Sequence, residues 1–482
     1  MHRGGVLLAA AFTLAALTGW AAHHAVTAAS WADGEPVRLA AVWSCTFGLL
    51  AMQTLLYHFE RPRRLTDRTR RQLDALHVAV IIPAYNEDDG YLRLGLESLL
   101  RQTRLPDSVH LVDDGSTTGD YAAVRAWWEP AARAAGIATT WQRTPNGGKR
   151  HAQATAVRAA DRADVFVTVD SDSCLAPDAI EQLLAPMARP DVQSVAGVVI
   201  ATNVNANLLT RITDLWFVTS QLTDRSAQSA LGAVLVNSGP LAAYRAAVVR
   251  DNLDSYLNEQ FMGRHVMFSD DSLLTLYAQL RGKTVQQPSA IVFSAMPERF
   301  GHLTRMYLRW MRGSTIRAVW RFRYLHLTRV AFWAHLLRWM QLALASTVIG
   351  WLLIADPLMN GRTPPAAMLA VPVLIAWTQG LRYLALVRSD VSAISRTATW
   401  LLMPLAAGLA WIVLRPLRWY GMATCARTGW GTRQGGAEVS LDGGSPPDTQ
   451  VLPARAPDDT VPLVKLRDPD TETTLQVALP VR

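Results

Sequence analysis

The chain has 482 residues, half of them hydrophobic and only 18% charged, with a formal net charge of +8. That length admits one large or two ordinary domains plus membrane segments, and three cysteines (Cys45, Cys174, Cys425) with no CxxC exclude a disulfide framework and a thiolate metal site. The arginines gather beside apolar blocks, and 17 tryptophans accompany them, so the positive balance points to anionic lipid and interfacial anchoring, with no nucleic acid as partner.

The first apolar run, residues 6–22, reads either as a signal peptide or as a first transmembrane helix. The second, residues 39–57, is long enough to span a bilayer. It ends in Arg61, Arg63 and Arg64, followed by Arg68, Arg70 and Arg71. The positive-inside rule then puts the chain from about Arg61 onward in the cytosol, whether or not the first run is cleaved. Residues 1–60 are therefore read as an N-terminal transmembrane region and 61–76 as a basic cytosolic linker.

Residues 77–298 read as a mixed domain. A short apolar run at 78–82 predicts a buried strand, a helical pattern follows over 91–102, and a second strand at 109–112 closes on Asp113-Asp114-Gly115-Ser116. A helix over 121–135, a strand over 137–141, a helix from Lys149 and a strand over 165–169 complete the run, the last ending on Asp170-Ser171-Asp172-Ser173. Strands alternating with helices predict an α/β domain with a mostly parallel sheet, whose ligand lies beyond the carboxyl ends of the strands. No GxGxxG is present, which disfavours a dinucleotide fold. Cys174, beside the acidic motif, reads as a small buried filler.

Three features in this domain carry chemistry. Two aspartates one residue apart at a strand end suit a hard divalent cation, Mg²⁺ or Mn²⁺, bridging to a diphosphate. Either acidic turn alone is commonly a solvated cap, but two at successive strand ends of one α/β unit point to a site. Gly147-Gly148-Lys149-Arg150 combines flexible backbone, a helix N-terminus and two cations, which is a phosphate-binding arrangement without being a Walker A loop. Asp270-Asp271 precedes an apolar helical pattern and reads either as a helix cap or as a base that deprotonates an acceptor hydroxyl.

Residues 299–329 hold eight arginines and no acidic residue, interleaved with large apolar side chains, which suits helices lying in the headgroup plane. Residues 330–433 carry three apolar blocks, at 339–355, 366–387 and 397–414. An odd number of crossings would put the basic stretch 415–433 outside, so one block is expected to be re-entrant, interfacial or split in two. Residues 434–482, rich in Pro, Asp, Thr and Gly, read as a disordered tail.

Taken in order, the motifs resemble those of processive family 2 glycosyltransferases, most of all the hyaluronan synthases, relatives of the chitin and cellulose synthases. The resemblance rests on Ile82-Pro83-Ala84-Tyr85-Asn86-Glu87, the Asp-Asp-Gly-Ser turn, Gly-Gly-Lys-Arg, Asp-Ser-Asp-Ser, Asn237-Ser238-Gly239-Pro240-Leu241, the acceptor-region pattern over 256–290, and Trp430-Gly431-Thr432-Arg433. It implies a cytosolic GT-A-like domain inserted between transmembrane helices of the plasma membrane. Its implied partners are a UDP-sugar donor, a growing polysaccharide acceptor and the lipid bilayer. The implied nucleotide-sugar site is Tyr85, Glu87, Asp113, Asp114, Lys149 and Asp170, with Tyr85 and Glu87 at the uridine, Asp114 at the base or ribose and Lys149 at the diphosphate. Asp172 and Asp170 are the implied ligands of Mg²⁺ or Mn²⁺, and Ser238, Gly239, Pro240 and Trp310 the implied acceptor site. Asp271 is the implied base and Arg309 the implied neutraliser of the diphosphate.

The family's Gln-x-x-Arg-Trp appears here as Met306-Tyr307-Leu308-Arg309-Trp310. Methionine lacks glutamine's hydrogen bonds, so the rate, the acceptor contact or the exact polymer is expected to depart from the family's. The implied activity is inverting polymerisation of sugars from UDP-sugars, coupled to export. The alternatives are a chitin-like poly-N-acetylglucosamine synthase, an enzyme that places one sugar on a lipid phosphate, and a non-enzymatic membrane subunit.

Overall fold

The computed structural model describes Trp20, Gly48 and residues 51–57, 60, 62–361, 366–387, 391–429, 463–467 and 474–478. Most of the first two apolar runs, the Trp-Gly-Thr-Arg motif at 430–433 and most of the tail lie outside the described residues.

The sheet grows from β1, Val78–Ala84, every residue of which is buried. Its alternation sorts the two faces by the two-residue period of a strand. Val78, Val80 and Ile82 enter one apolar cluster with Leu92, Leu96, Leu99 and Trp128, while Ala79 and Ile81 enter a second with Ala152, Ala156, Phe166 and Leu274. Helices thus cover both faces, which is why the strand reads as continuously apolar. Parallel neighbours flank it: β2, Ser108–Asp113, on one side and β4, Val165–Thr168, on the other. Outside β2 lies β3, Ala138–Arg143, also parallel.

Beyond β4 the direction changes. A cysteine-led pair of residues, β5, Cys174–Leu175, runs antiparallel at the far edge, after β6, Val192–Ala201, and β7, Ala242–Arg245. β7 lies antiparallel between β4 and β6. After the small hairpin of β8, Gln260–Phe261, and β9, Arg264–His265, the strand β10, Lys283–Ser294, pairs parallel to β6. The sheet order is therefore β3-β2-β1-β4-β7-β6-β10-β5. The consecutive parallel strands β3, β2, β1 and β4 match the expectation of a mostly parallel α/β sheet; β7 is the antiparallel insertion that the alternation pattern did not indicate.

The ends of β1, β2 and β4 open on one side, and the helices Lys149–Ala159 and Asp270–Arg281 start there. The 25-residue helix Phe300–Tyr324 follows and packs on Arg415–Ala423 near the end of the described chain. Between them run Val330–Gly350, continued by a π-helical turn at Trp351–Ala355, then Ala366–Ala385 and Ala393–Leu401. Among the described residues no single helix is long and apolar enough to cross a membrane. One pair, Ala393–Leu401 and Met403–Ala423, meets the length and composition together but is bent by 43° at its break. In the tail expected to be disordered, Leu463–Arg467 and Thr474–Ala478 pair antiparallel, and the first of them also pairs with Leu386–Val387.

Candidate active site

At the end of β1, Asn86 takes a positive φ of 45° and is fully buried. Its amide oxygen accepts from the backbone and hydroxyls of Thr117 and Thr118, and its N–H donates to Ser116 Oγ. One asparagine thus ties the first two strand-end loops together, a role its place beside Tyr85 and Glu87 did not reveal. Glu87 accepts from Ser171 Oγ at 2.7 Å, which ties the first loop to the Asp170–Ser173 turn as well.

The two aspartates after β2 part company. Asp114 turns into the site, where its carboxylate accepts the N–H groups of Gly147 and Gly148 at 2.9 and 2.8 Å. Burial raises its pKa, and those two backbone donors oppose the rise. Asp113 is equally buried but accepts from Ser116 N–H and faces Arg143; it does not line the cavity. The glycine loop therefore spends two amides on Asp114, and of the two cations that follow it Lys149 lines the cavity and Arg150 does not.

Lys149 stands at the first turn of its helix, with its ammonium 2.7 Å from Asp170 Oδ1 and 3.2 Å from Asp270 Oδ2. Burial works to lower its pKa, but the carboxylates of Asp170 and Asp270 outweigh burial and hold the lysine charged. Gly239 closes over this pair: a β-carbon there would lie 3.0 Å from Asp170 Oδ2 and 3.3 Å from Lys149 Nζ. That explains a glycine in Ser238-Gly239-Pro240. Ser238 in turn accepts from Arg225 at 2.6 Å.

Asp270 and Asp271 open the helix Asp270–Arg281 after Ser269, whose φ of 63° is unusual for a residue with a side chain. Burial pushes Asp270 up, but Lys149 and Arg150 outweigh it and hold this carboxyl below the usual range. For Asp271, burial first and repulsion from Asp270 second push the pKa up to about 6. Neighbouring carboxylates held at different protonation affinities are the arrangement a base near neutral pH requires.

Asp170 and Asp172 both line the cavity. Among the described residues no group of three or more His, Cys, Asp or Glu forms a metal cage. The pair fits a different mode of binding, in which one or two carboxylates hold a hard cation and phosphate and water complete the shell. Asp172 Oδ1 accepts hydrogen bonds from Ser173 and Ser294 at 3.3 and 3.5 Å, and the lysine ammonium rests on Asp170.

The helix Phe300–Tyr324 supplies the other wall. Arg309 and Trp310 line the cavity, and Trp310 stacks on Phe217 with ring centroids 5.6 Å apart. Met306 packs beside Leu303, Tyr307, Leu409 and Leu414, so a thioether fills an apolar corner where the related motif carries an amide. Gly313 lets this helix close on the segment that leads into Asp270 and Asp271, because a β-carbon there would meet Ser269 Cβ at 2.6 Å. Of the residues expected from sequence, Tyr85, Glu87, Asp114, Lys149, Asp170, Asp172, Ser238, Gly239, Pro240, Asp271, Arg309 and Trp310 all line one cavity of about 1290 Å³, and Asp113 does not.

Residues 79–253 match the model of glycosyl transferase family 2. Over 366 residues the chain is 35% identical to the hyaluronan synthase of Streptococcus pyogenes, covering 74% of this chain and 83% of that one. The chain is a family 2 glycosyltransferase. It is also 31% identical, over 80% of its length and 87% of the relative's, to an N-acetylglucosaminyltransferase of Rhizobium meliloti strain 1021. Among solved structures, the mannosyltransferase PcManGT of Pyrobaculum calidifontis, in complex with GDP-Man and Mn²⁺, shares the fold with a TM-score of 0.51 at 23% identity, over 77% of this chain and 97% of that one. The cavity with Lys149, Asp170 and Asp271 at its centre is thus the candidate active site of this glycosyltransferase.

Proposed function

We propose that this protein is a membrane-embedded, inverting synthase that builds a uronate-containing polysaccharide from UDP-sugars on the cytosolic side of the plasma membrane and passes it outward. The observation that carries the reading is continuity: the cavity that holds the donor-site residues also runs past Arg338, Gln341, Gln379, Trp411, Arg415 and Arg418 on the C-terminal helices. A non-processive transferase has no need of such an arm.

In this reading Tyr85, Glu87 and Asp114 hold the nucleoside, and Lys149 and Arg309 face the diphosphate. Asp172, with Asp170, would hold Mg²⁺ or Mn²⁺, which neutralises charge on the departing diphosphate when bound. Trp310 presents a flat apolar face to an acceptor sugar, and Ser238, Gly239 and Pro240 line its approach. Asp271 accepts the proton of the acceptor hydroxyl as that oxygen bonds to the anomeric carbon and the bond from that carbon to UDP breaks. Both electrons of the broken bond leave with UDP, where Lys149 and Arg309 stabilise them.

The charge of the inner arm favours an acidic polymer over neutral poly-N-acetylglucosamine. From the described C-terminal helices the cavity receives Arg338, Arg415 and Arg418 and no acidic residue, against the carboxylate of Asp224, which lies within electrostatic reach of Arg338 and Arg418. Arg415 lies over the Trp411 ring at 5.1 Å, and its Nε and Nη1 are buried without a hydrogen-bond partner. Buried donors of that kind call for an anionic or strongly accepting occupant. The test is to supply purified protein with UDP-N-acetylglucosamine and UDP-glucuronate, alone and together, with Mg²⁺ or Mn²⁺. Polymer made only with both donors, and digested by a hyaluronan-specific lyase, is the expected result; polymer from UDP-N-acetylglucosamine alone would replace the acidic product with the neutral one.

A further inference from the structure

Glu259 is nearly buried, at 9% exposure, in the turn before the β8–β9 hairpin, and nothing in the reaction as described uses it. Three donors from two distant parts of the chain converge on its carboxylate. Arg150 Nη2 lies 2.8 Å from Oε2, Arg317 pairs with Oε1, and Trp320 Nε1 donates to Oε1 at 2.7 Å. Arg150 follows Lys149 on the same helix, and its guanidinium also donates to Phe268 O at 2.6 Å and Tyr256 O at 3.1 Å. Phe268 leads directly into Ser269, Asp270 and Asp271. Arg317 and Trp320 belong to the helix that carries Arg309 and Trp310, and Gly313 of that helix abuts Ser269.

One buried carboxylate therefore joins the lysine-bearing helix, the segment that delivers the base, and the helix that forms the acceptor wall. A second line of bonds runs parallel to it: Tyr256 OH donates to Gln153 Oε1, and Gln153 Nε2 donates to Asp270 Oδ2 at 3.2 Å. We propose that Glu259 is a positioning residue for sugar transfer, which fixes Asp271 relative to Arg309 and Trp310 through the Arg150–Glu259–Arg317 cluster. This rests on reading Asp271 as the base and Lys149 as the diphosphate ligand. A misplacement of reacting groups by about 1 Å costs up to roughly a hundredfold in rate, whereas the nucleoside pocket on Tyr85, Glu87 and Asp114 does not touch Glu259.

The test uses the full chain, purified in lipid nanodiscs. Glu259→Gln is compared with wild type for UDP affinity, donor KM and kcat, alongside Trp320→Phe, which keeps a ring against Phe261 but removes the donor to Oε1. We expect kcat of Glu259→Gln to fall by about tenfold or more, with donor KM and UDP affinity held within about threefold, and Trp320→Phe to show a smaller fall of kcat alone. Glu259→Asp, which keeps the charge, recovers part of the loss. An unchanged kcat in Glu259→Gln overturns the proposal, as does a fall in kcat matched by an equal loss of UDP binding. Should Glu259→Gln not fold, an unchanged kcat in Trp320→Phe overturns it instead. A wild-type protein that turns over no UDP-sugar would overturn the functional reading itself, a different result from any of these.

Discussion

On the proposed reading the cavity has a donor half and an acceptor half, and the two are built on different principles. In the donor half the polar groups are already paired with one another: Asp114 with two glycine amides, Lys149 with Asp170 and Asp270, and Glu87 with Ser171. Its residues come from the ends of β1, β2 and β4 and from the start of one helix, all set by a single sheet. In the acceptor half the walls come from helices far apart in sequence. They offer aromatic faces at Trp310 and Trp411 and arginine donors such as those of Arg415 that no described residue accepts. A site that must bind one small donor repeatedly gains from preorganised charges. The proposed passage, which would release a chain sugar by sugar, gains from flat apolar faces and groups that the chain itself satisfies.

That contrast breaks most sharply at the base. Asp271→Asn should cut transfer by about 10² to 10⁴-fold, the usual worth of a general base, while UDP binding persists because the donor half is untouched; UDP release and equilibrium UDP binding measure the two. The same residue sets a pH limb. With its pKa pushed up to about 6, the wild-type rate should climb as pH rises through that value and level off above it. The folded state holds this proton more tightly than the unfolded chain, so the stability linked to this group is present at lower pH and is lost as pH rises through about 6. Activity and that increment of stability thus move in opposite directions, and a thermal melt series across pH 5 to 7 checks the sign.

Lys149→Met tests the donor half. It leaves Asp170 and Asp270 facing each other without their cation, and breaking this half-buried cluster costs stability because two carboxylates are left uncompensated. Donor KM should rise by roughly tenfold or more and the melting temperature should drop, in contrast to Asp271→Asn. Gly313→Ala sharpens the boundary between the halves, because its methyl group meets Ser269 and over-packing of this kind costs about 1–3 kcal/mol. Transfer should fall by several-fold with little change in UDP affinity. The smallest effect is expected from Arg415→Gln in the inner arm: product shorter by about two- to threefold on a sizing gel, where Asp271→Asn cuts the amount of product instead.

Most of the donor half was legible in the sequence because its chemistry is local. Short apolar strands end on acidic turns, and β1, β2, β3 and β4 lie within a residue or two of where their periodicity put them. Asp113 and Asp114 show the limit: adjacent in sequence, they turn to opposite tasks, which only the packing of Ser116 and the glycine loop decides. β7 was not legible because Ala-Ala-Tyr-Arg carries no strand pattern, and its place between β4 and β6 comes from the tertiary fold. The Glu259 cluster was invisible for a different reason: its members lie at positions 150, 259, 317 and 320, so no window of sequence contains them. The acceptor half was legible only as apolar blocks and arginines. That these line one cavity with the donor residues follows from helix packing alone.

On the proposed function, one continuous cavity joins sugar transfer to passage of a growing chain. The most direct measurement is the size of the product made by purified protein in lipid nanodiscs from UDP-N-acetylglucosamine and UDP-glucuronate with Mg²⁺ or Mn²⁺. Long polymer, formed while most of the donor remains unspent, is the predicted result. A product of one sugar on a lipid, or UDP release with no polymer at any donor pairing, would contradict it.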